Sequence, residues 1–165
     1  MEVPGRPVNR YQASCKVGLV MCFDQMSSIY DCTKFNGAVY RKALTEVVFP
    51  FSRKRFPQEQ VYLIQDNDPS HLGAATKTLM RNNNILFEDK YKFPANSGDL
   101  NPVENVWGCI LDQLDLKEYD NKEMILEGVR KAARKVNKTH LKHMVDSMPH
   151  RMELVIANEG GRCGY

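Results

Sequence analysis

A chain of 165 residues with 42% apolar and 26% charged side chains has the make-up of one folded domain, which excludes wholesale disorder. Its formal net charge of +3 permits a nucleic-acid partner without demanding one. The five cysteines (Cys15, Cys22, Cys32, Cys109 and Cys163) are odd in number, contain no CxxC pair, and read as reduced, partly buried thiols of an intracellular protein. No run of 18 apolar residues occurs, so no membrane span is expected. The first residues carry no apolar leader, so the expected location is the nucleus or the cytoplasm.

Residues 1–10, with two prolines and a glycine, read as an irregular arm. Lys16 to Phe23 and Ser28 to Thr33 are strand candidates that could pair as a hairpin. Asn36 to Phe51 is expected to be a helix. Val39, Tyr40, Ala43, Leu44, Val47, Val48 and Phe51 recur at helical spacing, Asn36 is the N-cap, and Pro50 marks the far end. A basic loop, Ser52 to Gln58, follows, then a buried strand, Val61 to Gln65. Ser70 to Asn82 reads as a helix with Leu72, Ala75, Leu79 and Met80 on one face, broken by Asn82-Asn83-Asn84 before a short strand, Ile85 to Phe87. After a loop from Pro94 to Gly98, Asn101 to Leu114 is a second clear helix, striped by Val103, Val106, Trp107, Ile110, Leu111 and Leu114. Two further helices, about 121–137 and 140–158, close the chain; Pro149 interrupts the latter and Gly160-Gly161 ends it. Strands with interleaved helices and then a helical tail predict an α/β layered domain with some parallel pairing.

Two acidic motifs stand out on this frame. Asp66, in Val61-Tyr62-Leu63-Ile64-Gln65-Asp66-Asn67-Asp68-Pro69-Ser70-His71, follows an apolar strand. Ligands of open α/β sheets bind outside such strand ends. The alternative is that Asp66 or Asp68 merely caps the next helix or closes an Asx-turn. Glu104, in Asp99-Leu100-Asn101-Pro102-Val103-Glu104-Asn105-Val106-Trp107, lies in the first turn of a helix. Its alternative is a capping box with Asn101 at the N-cap and Pro102 at N1. Carboxylates so placed suit Mg²⁺ or Mn²⁺, hard ions that prefer oxygen. Two such ions stabilise the attacking and leaving oxygens of a phosphodiester.

Read whole, these motifs resemble the catalytic domain of the Tc/mariner-type transposases, the family with a DDE triad on an RNase H-like fold. Gln65-Asp66-Asn67-Asp68-Pro69-Ser70-His71 is similar to the family's second-aspartate segment. Asn96-Ser97-Gly98-Asp99-Leu100-Asn101-Pro102-Val103-Glu104-Asn105-Val106-Trp107-Gly108 is similar to its Ser-Pro-Asp-Leu-Asn-Pro-Ile-Glu-Asn-Leu-Trp segment. Asn36-Gly37-Ala38-Val39-Tyr40 resembles the start of the helix before the second aspartate. Ser147-Met148-Pro149-His150-Arg151 and Gly160-Gly161 resemble the C-terminal signature.

The resemblance covers nearly the whole chain. It implies one partial DDE domain over 1–165, with an RNase H-like mixed sheet flanked by helices and a helical tail. Asp66 is implied as the second catalytic acid and metal ligand and Glu104 as the third. Asn67, Asp68, Pro69 and His71 are implied to shape and support the site. It further implies Mg²⁺ or Mn²⁺ as cofactor, DNA as partner, and a homodimer as one assembly.

The departures also matter. Thirty-seven residues separate Asp66 from Glu104, a few more than is common in the family, with the extra residues expected around Glu88 to Phe93. Gly98 replaces a proline. The family's first aspartate sits on a first strand in a Phe-Ser-Asp-Glu-like context, and no such segment is found, so the chain is expected to begin after it. No helix-turn-helix domain is found either, so DNA binding by this chain alone is expected to be sequence-independent. Asp24, at the end of the Lys16–Phe23 strand, is either a substitute for the first acid or a hairpin-turn residue. Arg130, Lys131, Arg134, Lys135, Lys138 and Lys142 either contact phosphates or form a solvated helix face. Trp107 reads as core, with base stacking the minor reading. His140, His143 and His150 have no ligand partner at zinc spacing. Two functions therefore stand: metal-dependent DNA cleavage and strand transfer, or a non-catalytic, transposase-derived module that binds DNA or protein.

Overall fold

The computed structural model describes residues 14–32, 34–87, 93–94, 96–115 and 119–164. The arm expected over 1–10, and all of the expected insertion except Phe93, lie outside these. Strand β1 (Val17–Gly18) pairs antiparallel with β2 (Tyr30–Asp31), Val17 opposite Asp31. A bridge between Met21 and Met26 and a turn closed by Cys22 N–H on Gln25 O (2.8 Å) complete the expected hairpin.

Helix α1 (Gly37–Ala43) starts where Asn36 Oδ1 accepts the amides of Ala38 (2.9 Å) and Val39 (3.0 Å), the expected N-cap. Its end differs from expectation. The helix widens into a π turn at Leu44–Val48 and continues as α2 (Phe49–Arg55), so Pro50 does not terminate it. Phe49 N–H reaches back five residues to Leu44 O, and α-helical register restarts there. Pro50 thus falls in the first turn of α2, where a missing N–H costs nothing. The residues expected as a basic loop begin inside α2: Arg53, Lys54 and Arg55 fill its last turn, where positive charge suits the helix dipole.

Strand β3 (Val61–Leu63) pairs with β4 (Ile85–Phe87) in the expected parallel sense, Val61 opposite Ile85. The segment between them is two helices, not one: α3 (Pro69–Leu72) and α4 (Ala74–Asn82), separated at Gly73, whose ψ of 141° is extended. On α4 the buried face is Thr76 and Met80, while Ala75 is exposed. Thr76 tolerates full burial because its Oγ1–H donates to Ser70 O at 3.2 Å. After a 3₁₀ turn (Gly98–Leu100) come α5 (Pro102–Leu111), α6 (Lys122–Ala133), α7 (Lys138–Asp146) and α8 (Met148–Ala157). Pro149 interrupts the tail as expected, in the first turn of α8. Gly160, at φ 90°, donates to Val155 O and ends it.

One mixed sheet was expected; the described strands instead form two separate pairs. Each pair has its own core. Tyr40, Leu44, Val48, Phe49 and Met80 pack with Ile85 and, partly buried, with Val61 and Leu63. This layers α1, α2 and α4 on one face of the β3–β4 pair. Val106 and Ile110 of α5, Ile125 and Val129 of α6 and Leu141 of α7 pack with Ile29, against the β1–β2 hairpin. Trp107 joins that core as predicted, but Leu111 is exposed, because α5 turns its outer edge to solvent there.

Asp24 links the two halves. Its carboxylate, 8% exposed, accepts from Arg55 Nε and Nη2 (3.0–3.1 Å) and lies 3.5 Å from Lys138 Nζ. Partial burial pushes its pKa upward, but the hydrogen bonds from Arg55 and Cys22 and the Arg55 charge outweigh that and hold it below the ordinary 3.8. A depressed acid stabilises the fold above its unfolded value, and that stability is lost as pH falls through the folded one. The melting-temperature gap between the native chain and Arg55→Met is therefore expected to be widest near about pH 7 and to shrink on acidification below about pH 4. A gap that stays constant across that range sinks this reading.

Candidate metal centre

The Asp66 arm begins in β3. Val61 and Leu63 face the core, so Tyr62 and Ile64 face outward. Beyond them the chain runs extended to α3. Asp68 is the N-cap of α3: its Oδ1 accepts Ser70 N–H at 2.8 Å. Burial pushes the Asp68 pKa up, but the bonds from Ser70 and the nearby His71 pull it lower overall. The capping alternative thus falls on Asp68. The Asp66 side chain stays 61% exposed. Its Oδ1 accepts Asp68 N–H at 3.2 Å, an Asx-type contact, and lies 2.7 Å from His71 Nδ1. A carboxylate can only accept, so Nδ1–H is the donor and the imidazole tautomer is set.

His71 is itself held in place. Its ring lies 4.2 Å from that of Tyr40 and 5.6 Å from that of Phe35. The Tyr40 hydroxyl, on α1, donates to Gln65 Oε1 at 2.5 Å. Burial drives the Tyr40 pKa upward, so the phenol remains a donor. Asn67 Nδ2–H donates to Phe93 O, joining this loop to the far side of β4. Each of the predicted supports, Asn67, Asp68 and His71, therefore makes a defined bond. The support that sequence reasoning missed is Tyr40 with Phe35 and Gln65. Tyr40 showed only helical spacing, and its contact with His71 spans 31 positions of sequence.

The Glu104 arm is α5. Asn101 is the N-cap and its Oδ1 accepts Val103 N–H at 3.4 Å. The other half of the expected capping box needs the Asn101 amide, but that amide donates to Gly98 O at 2.9 Å, inside the 3₁₀ turn. Glu104 is exposed at the helix start instead of folding back onto the cap. A Cβ at Gly98 would sit 3.8 Å from Glu104 Cγ, so position 98 borders the acid's stem.

The neighbouring Asn105 Oδ1 is buried with no hydrogen-bond partner among the described residues. An orphaned acceptor costs about 1–3 kcal/mol. Asn105→Leu is accordingly expected to raise stability by about 1 kcal/mol in urea titrations; a destabilised variant counts against the orphan.

Two exposed carboxylates on separate elements are the donor type a hard divalent ion takes. Among the described residues, however, no group of three His, Cys, Asp or Glu is arranged to hold one. Asp24 is engaged by Arg55 and Lys138, as described above.

No family model matches the chain. Among curated proteins, the Tc3 transposase of Caenorhabditis elegans is 28% identical over 139 residues, 81% of this chain and 40% of the relative. The Tcb1 transposase of Caenorhabditis briggsae is 26% identical over 122 residues, 74% of this chain and 43% of the relative. Among solved structures, a pre-cleavage Mos1 transpososome superposes with a TM-score of 0.81 at 19% identity, over 98% of this chain and 50% of that one. The chain is similar to Tc/mariner-type transposases over most of its length.

The Mos1 catalytic domain solved with raltegravir and Mn matches with a TM-score of 0.67 at 18% identity, over 89% of this chain and 82% of that one. The fold is therefore the RNase H-like one that the motifs implied, with its described strands in two small pairs. The chain spans less than half the length of the curated relatives it matches.

Proposed function

We propose that this chain works in DNA transposition as a DDE-type domain that cleaves and joins nuclear DNA, with Asp66 and Glu104 as its metal-binding acids. One observation carries the assignment. Of the four acids in the two motifs, Asp68 is consumed by the α3 cap and Asp99 by a bond from the Cys163 amide, while Asp66 and Glu104 present exposed carboxylates. The Mos1 structures with transposon DNA and with Mn support the partner and the metal by relationship.

In this mechanism Asp66 and Glu104 would hold Mg²⁺ or Mn²⁺. When bound, the ion neutralises charge on the phosphodiester and eases deprotonation of the attacking hydroxyl. His71 holds Asp66 in one rotamer, and Tyr40 keeps His71 over it. Supports of this kind matter because a ligand's orientation is set by the groups behind it. Water and then a freed DNA 3′-hydroxyl would act as successive nucleophiles.

The test is nicking of supercoiled DNA with Mg²⁺ or Mn²⁺. Nicking that is present in the native chain and absent from both Asp66→Asn and Glu104→Gln is the expected result. Retention of nicking in either variant sinks the assignment.

A second reading is a non-catalytic module that binds DNA or a protein partner. The engagement of Asp24 favours it, because that early acid is tied to Arg55 and Lys138. DNA binding that weakens steeply with salt, without any cleavage, is its signature.

A further inference from the structure

The helical tail returns to grip the turn that launches α5. Arg151, on α8, is 2% exposed. Its Nη1–H donates to the backbone oxygen of Asp99 at 2.8 Å, and its Nε–H donates to Ser147 Oγ at 2.9 Å. Past Gly160 the chain doubles back, and Cys163 N–H donates to Asp99 Oδ2 at 2.9 Å. The Cys163 thiol lies 3.3 Å from the same oxygen. Asp99 is thus held by its carbonyl and its carboxylate at once. Two residues later Asn101 caps α5, and Glu104 sits in the first turn.

A buried guanidinium is a poor choice for stability alone, since a well-packed apolar side chain often serves as well or better. An apolar side chain cannot hold a carbonyl at hydrogen-bond distance. We propose that Arg151 and Cys163 are positioning residues for Glu104, clasping Asp99 so that α5 leaves the 3₁₀ turn in one direction. The proposal rests on the reading of Glu104 as a metal ligand and extends it to residues 47 and 59 positions further along the chain.

The test compares Arg151→Gln with Asp99→Ala, which removes the acceptor of the Cys163 amide and leaves the buried guanidinium and its carbonyl contact in place. Two readouts are taken on the full chain: amide hydrogen exchange in the first turn of α5, and Mn²⁺ affinity with and without Glu104→Gln. Exchange at Val103 to Asn105 is expected to accelerate about tenfold in both variants, with α6 unchanged. Mn²⁺ affinity is expected to fall about 10–100-fold, the usual cost of losing a group behind a ligand. In the Glu104→Gln background the same substitutions should cause no further loss, whereas a merely structural role would weaken both backgrounds alike.

Unchanged exchange in the first turn of α5 overturns the clasp, whatever the metal does. Equal Mn²⁺ losses in both backgrounds overturn positioning of Glu104. A native chain that binds no Mn²⁺ overturns the metal reading itself, and the exchange data separate that failure from failure of the clasp. If Arg151→Gln does not fold, Asp99→Ala carries both readouts.

Discussion

An Ile110→Ala chain is expected to lose about 2–5 kcal/mol of stability, a large share of the roughly 5–15 kcal/mol typical of a whole domain. Ile110 is fully buried and lies in the core that joins α5, α6 and α7 to Ile29, just before β2 of the hairpin. Alanine removes three carbon atoms from a site walled by Val106, Ile125, Val129 and Leu141, on helices already committed to other contacts. The cavity cannot collapse without moving α5, the helix that carries Glu104. Ile110→Val, which keeps the branch, should cost only about 0.5–1.5 kcal/mol. Urea unfolding of the pair measures both; a loss below about 1 kcal/mol for the alanine variant would show that this core is not packed as described.

Tyr40 should give the other large effect, and two substitutions separate its two roles. Tyr40→Phe keeps the ring against His71 and deletes only the hydroxyl that donates to Gln65. The expected cost is about 1–3 kcal/mol, with Asp66 still held. Tyr40→Ala removes the ring as well, for about 3–5 kcal/mol, or roughly 6–20 °C in melting temperature for a chain of this size. It also removes the surface on which His71 rests, so Mn²⁺ affinity should fall in Tyr40→Ala and change little in Tyr40→Phe. Equal affinity losses in the two would mean that the hydroxyl, and not the ring, holds the site.

Much of this was legible because it depends on neighbours in sequence. The cap at Asn36, the parallel pairing of Val61–Leu63 with Ile85–Phe87, and the start of α5 at Asn101-Pro102 all follow from local spacing and turn chemistry. The misreadings share a cause: a locally valid rule was overridden by something distant or by a change of register. Pro50 marks an end only for a regular α-helix, and the π turn before it restarts the register. Ala75 lost its place on the buried face to Thr76, because Thr76 finds an acceptor in Ser70. At the candidate site, the flanking motifs singled out Asp66 and Glu104 as the acids proposed to bind metal. Which of the adjacent acids serve the fold was not legible, since that is decided by the Ser70 amide in one case and the Cys163 amide in the other. The second lies 64 positions from its acceptor. The failed capping box at Glu104 was equally invisible, because the competing acceptor is a carbonyl of the preceding turn.

The long reach of the tail to Asp99 also sets an order of events during synthesis. Among the described residues, the core around Leu44 and Met80 draws only on those between Val20 and Phe87 and can close while the rest of the chain is still being made. Asp99 must wait for Arg151 and Cys163, 52 and 64 residues behind it. At about 5–20 residues per second, that is a delay of several seconds. The Asp66 half of the candidate site can therefore be set on the ribosome, while the Glu104 half is secured only after Cys163 emerges. A chain still being made, or one cut by a protease between Ala157 and Cys163, would carry one acid fixed and the other loose.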